Sequence, residues 1–227
     1  MTLITLPRRP VAVIFDMDGL LFDTEALYRQ ALYAVSEEAR YAMTDALFHS
    51  MIGSPWPASR ALLLDHYGAD YPAEAIREAA HRHLRELTAA APFLKPGVIE
   101  LLDTLDHLGL PRAIATSSSH AAVLENLGGH DLMERFPEIV AHGDYARGKP
   151  APDPFLTAAA RLGVDPGLCV ALEDSHQGVR SACAAGMMTI MVPDILPPTE
   201  EMQGLCTGVA GDLHAVREII RATLADG

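Results

Sequence analysis

Short apolar, β-branched runs punctuate the chain: VAVIFD at 11–16, RAIAT at 112–116, EIVA at 138–141, LCVAL at 168–172 and MTIMV at 188–192. Each has the length of a strand, and the longer stretches between them carry apolar residues at helical spacing. That spacing predicts helices over 97–108, 119–127, 153–162, 176–185 and 212–224. In the first of these Ile99, Leu101, Leu102, Leu105 and Leu108 recur, Gly97 follows Pro96, and Gly109 provides a stop. Strands alternating with helices predict an α/β fold, a parallel sheet joined by crossover helices.

Between the first two runs the pattern changes. Residues 26–92 read as helix after helix, broken at Gly53-Ser54-Pro55, at Gly68 and at Pro72. From Pro57 to Tyr67, for example, Ala61, Leu62, Leu63 and Leu64 supply apolar faces. Roughly 65 helical residues exceed a normal crossover connection. They predict a small helical domain over 25–92, inserted into an α/β core made of 1–24 and 93–227. No internal repeat or low-complexity segment is present.

With 227 residues, 49% of them apolar, the chain has room for one domain carrying such an insert. The formal net charge of −13 argues against nucleic acid and anionic membranes as partners. A phosphorylated ligand would need a local positive site. Cys169, Cys183 and Cys206 are an odd number at wide spacing, which predicts reduced thiols, with Cys169 in the core. The apolar run after Arg8 and Arg9 meets Asp16 too soon for a signal sequence, and no stretch has the length of a membrane span. The expectation is a soluble cytoplasmic protein; oligomeric state stays open, a monomer included.

The stretch VAVIFDMDGLLFDTE raises the chemical question. In an extended segment Asp16 and Asp18 point to one side, and paired like charges at the edge of a core are costly unless a cation or proton shares the site. The alternative is an acid-rich, solvated loop. Other runs also end in polar residues: Thr116, Ser117 and Ser118 after RAIA, Lys149 in YARGKPAPDPF, and Glu173 with Asp174 after LCVAL. The carboxyl ends of parallel strands are where open sheets bind ligands, although a Thr-Ser-Ser cluster also serves as a plain helix cap. Asp16, Asp18, Glu173 and Asp174 offer hard oxygen ligands that suit Mg2+ and do not suit zinc or copper. Thr116, backbone N–H groups at a helix start and Lys149 suit phosphoryl oxygens. A carboxylate nucleophile in that company points to an aspartyl-phosphate intermediate.

In order, DMDGLLFDTE, TSS, GKPAPDPF and LEDSHQGVRSACAAGM resemble the four signature motifs of the haloacid dehalogenase-like superfamily. The likeness is to the subgroup with a helical cap after the first motif, which includes sugar-phosphate phosphatases and β-phosphoglucomutases. The resemblance implies a Rossmann-like core with an inserted α-helical cap. It makes Asp16 the nucleophile and Asp18 the general acid and base. Thr116, Ser117 and Lys149 would bind the phosphoryl group, and Asp16, the Asp18 carbonyl and Asp174 would hold Mg2+. Glu173 is either a direct ligand or one step removed. Asp23 either braces the turn after the strand or, like Thr24, caps a helix.

Within the resemblance, Asp18 favours phosphate esters over the substrates of dehalogenases and phosphonate hydrolases, which lack that aspartate. Related mutases carry a cap-side His where this chain has Tyr28, and an Arg after a cap glycine where it has Ser54, Pro55 and Trp56. The expected function is therefore a Mg2+-dependent phosphatase of a small phosphate monoester such as a sugar or polyol phosphate. The alternative is a phosphosugar mutase. A phospho-accepting receiver module is disfavoured, because receivers place the acidic pair first and the phosphorylated aspartate later. Tyr28, Trp56, Arg60 and Arg82 are the candidates for substrate specificity, with packing or surface roles as their alternatives. His81 and His83 lie on nearly opposite helix faces and make no metal pair; His176 belongs to a helix start.

Overall fold

The computed structural model describes residues 4–52, 54, 56–90 and 93–225. Gly53 and Pro55, two residues of an expected break, and the expected boundary at 92 lie outside them. In chain order the elements are β1 (Ala12–Phe15), α1 (Thr24–Glu38), α2 (Asp45–Met51), α3 (Trp56–Tyr67), α4 (Ala73–Ala90), α5 (Val98–His107), β2 (Arg112–Ser119) and α6 (His120–Gly128). They continue with β3 (Glu138–His142), α7 (Asp153–Leu162), β4 (Cys169–Glu173), α8 (His176–Ala184), β5 (Met188–Met191), α9 (Glu200–Leu205), β6 (Gly208–Val209) and α10 (Leu213–Ala225). Two compact units result: Met1–Phe22 with Leu94–Gly227, and Asp23–Phe93.

The first unit is an α/β Rossmann-like domain. Its six strands, all parallel, lie in the order β3-β2-β1-β4-β5-β6. The chain steps outward from β1 through β2 to β3, then crosses back and continues on the other side of β1. Ile14 therefore pairs with Ala113 on one side and Ala171 on the other. Open parallel sheets bind ligands beyond the carboxyl ends of the strands beside such a reversal, here β1 with β2 and β4. All of Ala12–Phe15 is buried, as expected of a central parallel strand covered on both faces. Ala12, Ala113, Ala115 and Ala171 form one close-packed cluster with Phe155, Ala158 and Ala159 of α7.

Some details differ from the sequence reading. β2 continues to Ser119 with a register break after Ala115, so polar residues extend the strand beyond the apolar run. β6 has only two residues, and α9 only six, too short for a periodic signal. On α5, Val98, Leu101, Leu102 and Leu105 are buried, whereas Ile99 and Leu108 are exposed. Ile99 is two residues from Leu101 and so on another face; Leu108 lies past the helix end. Cys169 is buried, and all three cysteines are free.

The second unit holds α1 to α4. Its ends meet where the Asp23 N–H donates to the Phe93 carbonyl at 2.8 Å. The chain breaks once more than expected, between α1 and α2, where Arg40 takes φ 64°. Thr44 caps α2 by accepting the Leu47 N–H at 3.2 Å. On α3 Leu63 is buried but Leu62 is exposed. Tyr67 stacks on Tyr71 at 4.7 Å, with Tyr41 edge-on to Tyr71 at 4.8 Å. Among the described residues no helix is long and apolar enough to cross a membrane.

Candidate active site

Asp16 follows β1 directly, and its N–H still donates to Leu172 O of β4 at 2.9 Å. The sheet itself thus fixes the Asp16 side chain, which is 9% exposed. Asp18, two residues on, accepts a hydrogen bond from Ser118 Oγ at 2.6 Å, which ties the first motif to the end of β2. Between them Met17 is fully buried.

Thr116 is fully buried at the turn-out of β2. Its Oγ1 accepts the Ser118 N–H at 3.0 Å, which leaves the hydroxyl proton free to donate elsewhere. Its carbonyl accepts from Tyr145 OH at 3.1 Å. Ser117 is exposed. The capping role open to TSS in the sequence belongs instead to Ser119, whose Oγ accepts the Ala122 N–H of α6 at 3.3 Å. Asp23 stands at the head of α1 but makes no side-chain capping bond, and Thr24 is already inside the helix.

Lys149 reaches the ends of β1 and β4 from the loop after β3, and its peptide bond to Pro150 is cis. Its Nζ donates both to Asp16 Oδ1 and, at 2.5 Å, to Glu173 Oε1. Glu173, the last residue of β4, has no exposed surface. Its Oε2 accepts from the Ser175 N–H at 3.2 Å and from Ser175 Oγ at 3.0 Å. Both oxygens of Glu173 are therefore engaged. Ser175 also caps α8 through the Gly178 N–H at 3.1 Å, and His176 opens that helix, as expected.

Oxygens of Asp16, Glu173 and Asp174 lie within 4.8 Å of one another. Burial raises the Asp16 carboxyl to a pKa of about 8; Lys149 opposes that shift, and Glu173 and Asp18 add to it. Burial pulls the Lys149 ammonium the other way, but Asp16 and Glu173 outweigh it and hold the proton more firmly than usual. One ammonium thus faces several carboxylates in a buried pocket. The donor set, all hard oxygen, fits a divalent cation.

Asp194 was not foreseen. It follows β5 in VPD, its Oδ1 takes Lys95 Nζ at 2.5 Å, and its Oδ2 is buried without a hydrogen-bond partner among the described residues. MTIMV is read as a strand in the sequence, so the rule that flagged the other strand ends covers Asp194 as well. Gly178, also unforeseen, packs against Glu173.

The helical unit encloses a cavity of about 260 Å3, lined by Tyr28 and Trp56 together with Phe48, Leu63, Arg77 and His81. Two specificity candidates, Tyr28 and Trp56, are thus brought together; Arg60 and Arg82 do not line it. Arg60 instead pairs with Glu74 at 3.0 Å, and Arg82 is exposed. Arg77, overlooked in the sequence, lies over the Trp56 ring at 4.5 Å. His81 packs against Tyr28 at 5.2 Å, and His83 pairs with Glu86 instead.

Comparison with known proteins fits this geometry. Residues 13–192 match the model of the family described as haloacid dehalogenase-like hydrolase. A phosphorylated carbohydrates phosphatase of Thermotoga maritima is 33% identical over 180 residues, 79% of this chain and 83% of that protein. Hexitol phosphatase B of Escherichia coli K12 is 32% identical over 195 residues, 82% of this chain and 85% of that one. The crystal structure of a putative β-phosphoglucomutase from Thermotoga maritima superposes with a TM-score of 0.76 at 29% identity, covering 95% of this chain and 98% of that one.

Proposed function

The chain belongs to the haloacid dehalogenase-like hydrolase family, and on that premise we propose that it is a Mg2+-dependent phosphatase. Its substrate is a small phosphate monoester, a sugar or polyol phosphate, cleaved through an aspartyl phosphate on Asp16. The observation that carries this reading is the pairing of Asp16 with Lys149 at the point where the sheet order reverses. A nucleophile held there by the strand ladder needs little reorganisation to meet phosphorus.

In the first half-reaction an Asp16 oxygen forms a bond to phosphorus as the ester P–O bond breaks, and Asp18 gives its proton to the departing oxygen. In the second, Asp18 takes a proton from water as that water attacks the aspartyl phosphate, which frees Asp16 and inorganic phosphate. The Ser118 hydroxyl holds Asp18 for both transfers. Lys149, the Thr116 hydroxyl and Ser117 bind the phosphoryl oxygens. Asp16, the Asp18 carbonyl and Asp174 would hold Mg2+, which would supply neutralisation of the charge on those oxygens. Glu173 acts one step away, because Lys149 and Ser175 already occupy its oxygens. Recognition of the organic group is assigned to Tyr28 and Trp56.

Relatives named phosphatases support hydrolysis over mutase chemistry, as does Tyr28 in place of the mutase histidine. The test is phosphate release over a panel of phosphorylated sugars and polyols. Release should require Mg2+, stop with EDTA and vanish in Asp16→Asn. Efficient conversion of β-glucose 1-phosphate to glucose 6-phosphate would favour the mutase instead.

A further inference from the structure

We propose that Asp194 is a positioning residue for the divalent cation: its Oδ2 accepts a hydrogen bond from a water on that ion while Lys95 holds its Oδ1. This rests on the cation assigned in the proposed function and adds a carboxylate to its surroundings. The Asp194 side chain is only 9% exposed, and the Lys95 ammonium satisfies one oxygen at 2.5 Å. The other oxygen is buried with no donor among the described residues. An unmet carboxylate oxygen in such a place is costly, because burial removes its water and supplies no donor in return.

Gly19 shows what this oxygen faces. A Cβ on Gly19 would overlap Asp174 Oδ2 and lie 3.3 Å from Asp194 Oδ2. The two carboxylate oxygens thus border one small space, kept open by the missing side chain. Without a donor or a positive charge there, they repel.

Asp194 stands outside the group of carboxylates whose oxygens converge, namely Asp16, Glu173 and Asp174. That separation favours contact through water over direct coordination. A small hard cation keeps several waters, and an ion-bound water is a strengthened donor that a nearby carboxylate orients. Lys95 prevents Asp194 from turning away and leaves Oδ2 for that water.

The experiment is Mn2+ titration followed by electron paramagnetic resonance on the wild type, Asp194→Asn and Asp174→Asn, with thermal melts of the metal-free proteins. Asp194→Asn should raise the Mn2+ Kd about tenfold or more, whatever the loss of its charge beside Lys95 does to the metal-free melt. Asp174→Asn should lose binding. A Kd for Asp194→Asn within about twofold of wild type overturns the inference, with or without a lowered melt, and leaves Asp194 as an ion-pair partner of Lys95 only. Should Asp194→Asn not fold, Asp194→Ser is judged by the same Kd. Failure of the wild type to bind Mn2+ would instead defeat the cation reading itself.

Discussion

Gly178 lies so close to the Glu173 carboxylate that a Cβ on it would fall among the carboxylate atoms. The first turn of α8 can then sit on the end of β4, with Ser175 holding Oε2 and Lys149 holding Oε1. Gly178→Ala should push Glu173 aside, release Lys149 from it and reduce phosphatase activity at least tenfold. Overpacking of this kind destabilises by about 1–3 kcal/mol, readable as a lower urea midpoint. Gly204→Ala is the control: no atom lies near its Cβ position, so activity should be unchanged. Equal behaviour of the two variants would contradict the packing argument.

Ser118 offers a second test. Its hydroxyl donates to Asp18 Oδ2 at 2.6 Å, and the proposed chemistry needs Asp18 in place for two proton transfers. Ser118→Ala should lower kcat about tenfold with little change in KM, the pattern for an interaction used mainly in the transition state. Ser118→Thr keeps the hydroxyl and should recover most of the rate. A change confined to KM would assign Ser118 to binding instead.

Acid stability depends on Asp144, just after β3. It accepts the Ala141 N–H at 3.0 Å and pairs with His120 at 3.1 Å and Arg161 at 3.3 Å. The Ala141 N–H is the largest influence lowering its carboxyl to a pKa of about 2, and His120 and Arg161 add to it against burial. The folded value lies below the ordinary 3.8, so the stabilisation is complete above about pH 4. It is lost as pH falls through about 2. Asp144→Asn should therefore be less stable than wild type by about 1–2 kcal/mol near neutral pH, with the gap closing between pH 4 and 2. A gap independent of pH would show that the carboxylate charge is not responsible.

Much of this was legible in the chain because burial writes itself into a central parallel sheet. Ala12–Phe15 and Cys169–Glu173 are covered on both faces, so all of their residues but Glu173 read as unbroken apolar runs, and Asp16, Glu173 and Asp174 stand out at their ends. Two residues of β6 leave no such mark. Side-chain reach is also silent: nothing in GKPAPDPF says that Lys149 spans Asp16 and Glu173. Gly178 looked like an ordinary helix residue, since close approach depends on which side chain lies beneath it. Asp194 obeys the same strand-end logic as the others, but it stands beyond Val192 and Pro193 and not directly at the end of the strand. In α4 the helical period brings Arg77 and His81, four residues apart, to one cavity, while Arg82 is turned away from it.

The most direct test of the central claim is peptide mapping by mass spectrometry after a rapid acid quench of the enzyme turning over acetyl phosphate with Mg2+. A phosphoryl adduct should appear on the peptide that carries Asp16 and be absent from Asp16→Asn. Turnover with no adduct there, or with the adduct on another residue, would contradict the assignment of Asp16 as nucleophile.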